Sequence, residues 1–289
     1  MSETLGGDAL LAALLIDSHI CLDDMTPDEL PSRVGPYEVI EPLGRGRDGQ
    51  AYLARDPESE RGVALKHFNR DSPFSNRELA DLAQRLGGVQ DPSIVPIRGI
   101  LRIGSRIVVS MDYVSEPTLA DRDLPLASGL KLLERIAKAC DVAHQAGLVH
   151  GDLRPGNLLL GPQPRILDLG LASLFRDANP PFGVPSYMAP EVAHRSPPTP
   201  ASDVYSLGAI LYELLCGVPP FGDRDEEEVL ARLKEGEAPR SPRSRVAEAP
   251  RALERVALQA LARHPASRQP SATEFAADLA AYNAESSQK

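Results

Sequence analysis

The sequence predicts an α+β chain in which a small β-rich lobe precedes a larger, mainly α lobe. Two observations carry this reading. Apolar residues recur with period two between Tyr37 and Leu65, and with spacings of three and four from Leu130 to Ala143 and again from Val204 to Leu215. Prolines crowd between the helical patterns of the second half, from Pro180 to Pro220, which predicts long ordered loops there.

Taken in chain order, residues 1–34 read as a separate arm. It holds a short apolar helix around Ala9 to Ile16, then Thr26-Pro27-Asp28-Glu29, a capping box with proline at the first helical position. Tyr37 and Val39, Ala51 and Leu53, and Val63 and Leu65 then mark three antiparallel strands separated by a Gly-rich turn and a polar loop. Leu130, Leu133, Ile136, Ala137, Cys140 and Ala143 form one face of a helix that ends near Gly147. The last helix opens on the capping box Ser271-Ala272-Thr273-Glu274 and is predicted to run to about Tyr282.

Composition narrows the function. The 289 residues carry 31 Lys+Arg against 41 Asp+Glu, a formal charge of −10, which argues against broad binding to nucleic acid or to an anionic membrane. Cys21, Cys140 and Cys216 are odd in number and scattered, so neither a disulfide framework nor a CxxC metal site is available, and a reducing cytoplasm is expected. The apolar run Ala9 to Ile16 falls well short of the ~20 residues needed to cross a bilayer.

Four segments carry chemistry. Gly44-Arg45-Gly46-Arg47-Asp48-Gly49 is a GxGxxG turn between strands, where missing side chains let backbone N–H groups approach phosphates. A dinucleotide-binding fold would require a helix next, whereas strand residues Gln50 to Ala54 follow. In Val63-Ala64-Leu65-Lys66, alternation puts Ala64 and Lys66 on one face, aligned with the turn. His150-Gly151-Asp152-Leu153-Arg154-Pro155-Gly156-Asn157 gathers an acid, a cation and an amide in one loop whose apolar flanks, Leu148, Val149, Leu158 and Leu159, are expected to be buried. In Ile166-Leu167-Asp168-Leu169-Gly170 a second carboxylate stands at a strand end, and an Asn with an Asp supplies hard oxygen ligands suited to Mg2+.

Together with Tyr187-Met188-Ala189-Pro190-Glu191 and Asp203-Val204-Tyr205-Ser206-Leu207-Gly208, these segments resemble, in unbroken order, the catalytic domain of eukaryotic-like bacterial serine/threonine protein kinases. The resemblance implies a bilobal kinase domain over residues 35–283, with an N-lobe of about 35–112, a C-lobe of about 115–283 and a tail at 284–289. It implies that Leu43, Gly44, Gly46, Gly49, Ala51 and Ala64 surround ATP, that Lys66 holds the α and β phosphates, and that Glu78 pairs with Lys66. Met111, Asp112 and Val114 correspond to the hinge that binds adenine, with Met111 as gatekeeper. Asp152 corresponds to the catalytic base and Arg154 to the cation beside it, while Asn157 and Asp168 correspond to the Mg2+ ligands. Asp203 resembles the buried carboxylate that orders the catalytic loop, and Glu191 with Arg268 an internal ion pair. The expected partner is a protein substrate.

The chain departs from that pattern at four positions. Gly151 stands where phosphorylation-regulated kinases carry an arginine, and Asp177-Ala178-Asn179-Pro180-Pro181-Phe182 offers no hydroxyl to phosphorylate, so no switching by that loop is expected. Arg154 replaces a lysine, Ala51 a valine over the adenine, and Val184 a threonine that hydrogen-bonds within the catalytic loop, so one bond positioning Asp152 is expected to be missing. Two other readings stand beside an active protein kinase. These departures together suggest a pseudokinase acting as a nucleotide- or partner-binding module, and His150-Gly151-Asp152 also resembles small-molecule phosphotransferases.

Overall fold

The computed structural model describes residues 31–46, 48–179, 181–222 and 224–286. These divide into two compact units, one holding residues up to 90 together with 95–115, the other holding 91–94 and the residues from 116 onward. The helix expected at 9–16 and the capping box at 26–29 lie outside the described residues.

The first unit is built on a sheet of six strands rather than the three expected: β1 (Arg33–Val34), β2 (Tyr37–Gly46), β3 (Gly49–Arg55), β4 (Gly62–Asp71), β5 (Ile97–Ile103) and β6 (Arg106–Asp112). Their order is β1-β2-β3-β4-β6-β5 and every pairing is antiparallel. β1 pairs Arg33 with Glu38 and Val34 with Tyr37, so the sheet begins inside the segment read as the arm. Alternation along β4 is the expected one, with Val63, Leu65 and His67 buried and Ala64 and Lys66 half-buried. Tyr37, Tyr52, Ala54, Val63, Leu65, Leu101, Ile103 and Val108 form the apolar cluster on the buried face. β5 and β6 join at Gly104, whose φ of +60° is a conformation that glycine adopts without penalty. Helix α1 (Asn76–Gly88) starts at Ser75, whose Oγ accepts the Glu78 N–H, and buries Leu79, Leu82, Ala83 and Leu86 at helical spacing.

The second unit is mainly helical, as predicted. It contains α2 (Leu126–Gln145), the two-stranded pair β7 (Leu158–Leu159) and β8 (Arg165–Ile166), and the single turn α3 (Pro190–Ala193). α4 (Pro200–Cys216), α5 (Glu226–Glu235), α6 (Pro242–Arg245), α7 (Arg251–Ala260) and α8 (Ala272–Ser286) follow. α4 is buried at every position from Ser202 to Tyr212, which makes it the central helix of the unit. Its Tyr205, Ala209 and Tyr212 pack with Met188, Val192, Phe221, Val229 and Leu233. α8 begins where the capping box predicts, with Ser271 Oγ accepting the Glu274 N–H at 3.1 Å, and runs one turn past Tyr282. Among the described residues no helix is long and apolar enough to cross a membrane.

Candidate active site

In the first unit, strand register sets the expected nucleotide-binding residues side by side. Gly44 pairs with Ala51, Ala51 with Lys66 and Lys66 with Val109, while Leu53 pairs with Ala64 and Ala64 with Met111. Cross-strand partners share a face, so Gly44, Ala51, Ala64, Lys66 and Met111 stand on the face opposite the apolar cluster. The Lys66 ammonium lies 5.3 Å from the centroid of the Phe68 ring, within the range of a cation–π contact.

The three turn glycines differ in what they meet. A Cβ at Gly49 would lie 1.9 Å from the His67 carbonyl oxygen, so closure of β3 on β4 itself requires this glycine. Among the described residues, chain neighbours aside, nothing lies within 4 Å of a Cβ built at Gly44 or Gly46. That open space is what a phosphate needs in order to reach the backbone.

Leu43 is exposed in β2, and in the segment expected to serve as the hinge Met111 is buried, Val114 half-buried and Tyr113 exposed. The Asp112 N–H donates to the Pro96 carbonyl at 3.0 Å, and its carboxylate takes a two-pronged bond from Arg98 at 2.5 and 2.8 Å. Glu78 sits in the first turn of α1, where its Oε2 accepts from the Ser75 N–H at 2.7 Å and the Ser75 hydroxyl at 2.8 Å. This expected partner of Lys66 is therefore also half of a capping box.

In the second unit the loop from His150 to Asn157 is ordered from within. Asp203, 1% exposed in the first turn of α4, accepts the N–H groups of His150 at 2.8 Å and Gly151 at 2.9 Å, and a further bond from His144 Nε2 at 2.8 Å. Three donors on one carboxylate keep a buried charge satisfied. The Asp152 N–H donates to His150 Nδ1 at 3.2 Å, so the proton of that ring is on Nε2, which donates to the Leu167 carbonyl at 2.8 Å. Leu167 in turn donates its N–H to the Asn157 carbonyl at 2.9 Å, tying the Asp168 segment to the loop.

The Asp152 carboxylate lies among three donors, each at 3.3 Å: Arg154 Nε and Asn157 Nδ2 on Oδ2, and the Val184 N–H on Oδ1. Val184 has no hydroxyl to make the expected threonine bond, and its contact with Asp152 is made by the backbone N–H alone. Hydrogen bonds of this length are common in unliganded sites and tighten when the reacting groups arrive. Asn157 Nδ2 also donates to the Asp152 carbonyl at 2.8 Å, and the amide oxygen is the atom of this side chain that can ligate a cation. Asp168 adopts a φ of +61°, uncommon for a residue with a side chain, and Gly170 follows at +74°. An amide oxygen and a carboxylate on two segments tied together fit a Mg2+ ion that brings its own phosphate oxygens.

The expected ion pair is present: Arg268, its side chain 0% exposed, meets Glu191 at 2.6 and 2.7 Å and also donates to the carbonyls of Ala262, Ala201 and Arg263. Two further contributions were not legible beforehand. His144, on the last turn of α2, gives no sequence signal beyond a polar residue in a helix, yet it braces Asp203. Tyr187 Oη donates to Glu213 at 2.7 Å, and burial lifts the Glu213 carboxyl above the usual carboxylate range against the opposing effect of that bond. Burial and the neighbouring Glu213 raise the Tyr187 phenol likewise, so it stays protonated and a donor.

Residues 37–285 match the model of the protein kinase domain. The chain is 32% identical over 281 residues to serine/threonine-protein kinase PknK of Mycobacterium tuberculosis, covering 91% of this chain and 25% of that protein. It is 34% identical over 278 residues to serine/threonine-protein kinase PknB of Mycolicibacterium smegmatis, covering 88% of this chain and 43% of that one. The chain therefore spans less than half the length of these relatives. Among solved structures, the kinase domain of PknI from Mycobacterium tuberculosis is similar with a TM-score of 0.71 at 26% identity, over 88% of this chain and 99% of that domain.

Proposed function

The chain belongs to the protein kinase domain family, and from that premise we propose that it is an active ATP-dependent kinase transferring the γ-phosphoryl group to Ser or Thr hydroxyls of protein substrates. The observation that carries this reading is the Asp152 carboxylate, 10% exposed and held by Arg154, Asn157 and the Val184 N–H. A carboxylate fixed in this way is suited to accept the proton of an incoming hydroxyl, and the Arg154 guanidinium beside it to neutralise charge on the transferred group. Positioning and electrostatics are most of what phosphoryl transfer asks of a protein.

The remaining roles are those that the resemblance to protein kinases implies. Lys66 holds the α and β phosphates, the backbone of Gly44, Gly46 and Gly49 covers them, and Glu78 orients Lys66. Leu43, Ala51, Ala64 and Met111 enclose the adenine, which Asp112 and Val114 bind through their backbone. Asn157 and Asp168 hold Mg2+, which when bound neutralises the phosphates and orients them. Gly151 and the hydroxyl-free segment from Asp177 to Phe182 support activity that does not depend on phosphorylation of that loop. The negative charge and the cysteine usage support a cytoplasmic enzyme whose partners are proteins rather than nucleic acid or membrane.

The test is labelling of generic protein acceptors with γ-labelled ATP, followed by identification of the modified amino acid. Labelled Ser or Thr from the wild type and none from Asp152→Asn supports the reading. Equal labelling by the variant would remove Asp152 from its role. ATP-dependent thermal stabilisation without any labelling would leave a nucleotide-binding pseudokinase.

A further inference from the structure

The segment after Asp168 folds back on itself through two aromatic rings. Residues Leu171–Phe175 form a 3-10 turn that ends with Phe175 buried, and Phe182 lies buried on the far side of the loop. The two rings stack with centroids 4.9 Å apart and planes 17° from parallel, within the range of a favourable aromatic pair. The next two residues after Phe182 both lie against the Asp152 carboxylate. The Val184 N–H donates to Asp152 Oδ1 at 3.3 Å, and Gly183 approaches so closely that a Cβ there would lie 2.9 Å from the same oxygen. Gly183 has a φ of +105°, so a side chain is excluded by conformation as well as by space.

The same fold-back closes over Gly151. Phe175, Phe182, Pro181, Ala172 and Pro198 line a pocket against it, and a Cβ at Gly151 would meet Ala172 Cβ at 2.8 Å and Pro198 Cγ at 3.1 Å. An arginine before the catalytic aspartate, the receptor for a loop phosphate in regulated kinases, is therefore excluded by packing. Something else has to hold Gly183 and Val184 against Asp152.

We infer that the Phe175–Phe182 stack is that element: an uncharged clasp that positions the Val184 N–H on Asp152 and so replaces the phosphate-dependent one. Phe175 and Phe182 are positioning residues, acting through Gly183 and Val184. The inference rests on the kinase reading for its effect on turnover, but its structural half can be measured without any activity.

The experiment compares wild type with Phe182→Ala, Phe175→Ala, Phe182→Leu and Phe182→Tyr in the full chain. It reads hydrogen exchange at the Val184 amide, kcat toward a generic protein acceptor, and KM for ATP. Loss of the stack is expected to speed exchange at Val184 at least tenfold, with amides of α4 unchanged. It is expected to lower kcat by about 10- to 100-fold, the scale of a small misplacement of a catalytic group, with KM for ATP changed less than twofold. Phe182→Tyr, which keeps the ring, restores both, and Phe182→Leu, which keeps bulk without a ring face, does not. Should the alanine variants fail to fold, the leucine and tyrosine pair decides the question. Wild-type exchange at Val184 in Phe182→Leu, or a kcat loss that merely tracks the folded fraction, overturns the clasp. If the wild type shows no turnover, the kinase reading fails while Val184 exchange still decides the clasp.

Discussion

Replacing Gly151 with alanine adds a single methyl group at a point where both the backbone and the space oppose it. The residue sits at φ +77°, where a residue with a Cβ costs about 1–2 kcal/mol. The new carbon would press on Ala172 at 2.8 Å and on Pro198 at 3.1 and 3.3 Å, contacts of a kind that cost about 1–3 kcal/mol when a packed region must give way. Lower freedom of the unfolded chain offsets about 0.4–1 kcal/mol of this. The expected net loss is about 3 kcal/mol, and with a urea dependence of about 3 kcal/mol per M it lowers the unfolding midpoint by about 1 M. Gly151→Arg carries the same Cβ and is expected to fall at least as far, without gaining any response to phosphorylation. Equilibrium urea unfolding of wild type and both variants is the assay. A midpoint for Gly151→Ala within about 0.2 M of wild type would refute the argument that packing excludes the regulatory arginine.

Other substitutions test separate features of the structure. Glu191→Ala leaves the fully buried Arg268 without its counter-charge and should destabilise by about 3–5 kcal/mol in denaturant unfolding. Replacing both partners with apolar residues should not restore this, because the Ala262, Ala201 and Arg263 carbonyls lose their donor as well. Gly46→Ala should leave the melting temperature unchanged while weakening ATP binding, whereas Gly49→Ala should destabilise by about 3 kcal/mol because its Cβ falls on the His67 carbonyl; equal melting temperatures would contradict the division of labour. Glu213 has its pKa raised by burial, so the folded chain binds this proton more tightly than the unfolded one. Its contribution is therefore full below the ordinary value near 4.5 and is lost as pH rises through the raised folded value. Glu213→Gln should flatten the fall in stability across that window, and parallel pH–stability curves would show the carboxyl to be unperturbed.

The elements that could be read in advance were those whose local pattern and tertiary surroundings agree. The alternation of Val63, Ala64, Leu65 and Lys66 survives intact because Val63 and Leu65 pack into the apolar cluster while Ala64 and Lys66 stay half-buried on the opposite face. The β5–β6 hairpin was not legible although its turn carries Gly104, because apolar residues stand side by side at Ile100-Leu101 and Ile107-Val108-Val109 and break any clean period of two. The catalytic-loop residues were legible as a motif, but the means of holding them were not. His144 reaches Asp203 across 59 residues of sequence, and Val184 contributes through its backbone, which no side-chain pattern records. Glu78 shows the converse: the spacing Ser75-Asn76-Arg77-Glu78 is itself a legible capping box, a local role that the resemblance to a kinase does not include.

The most direct measurement is ADP production from Mg-ATP by the wild-type chain, with and without mixed protein acceptors, beside Asp152→Asn and Asp168→Asn. Water serves as a slow acceptor, so the natural substrate need not be in hand. Turnover is expected to rise with protein acceptors and to fall by at least 100-fold in both variants, on the order expected for removal of a positioned catalytic group. Turnover that persists in Asp152→Asn, or that no protein acceptor raises, would contradict the claim that this carboxylate serves phosphoryl transfer to proteins.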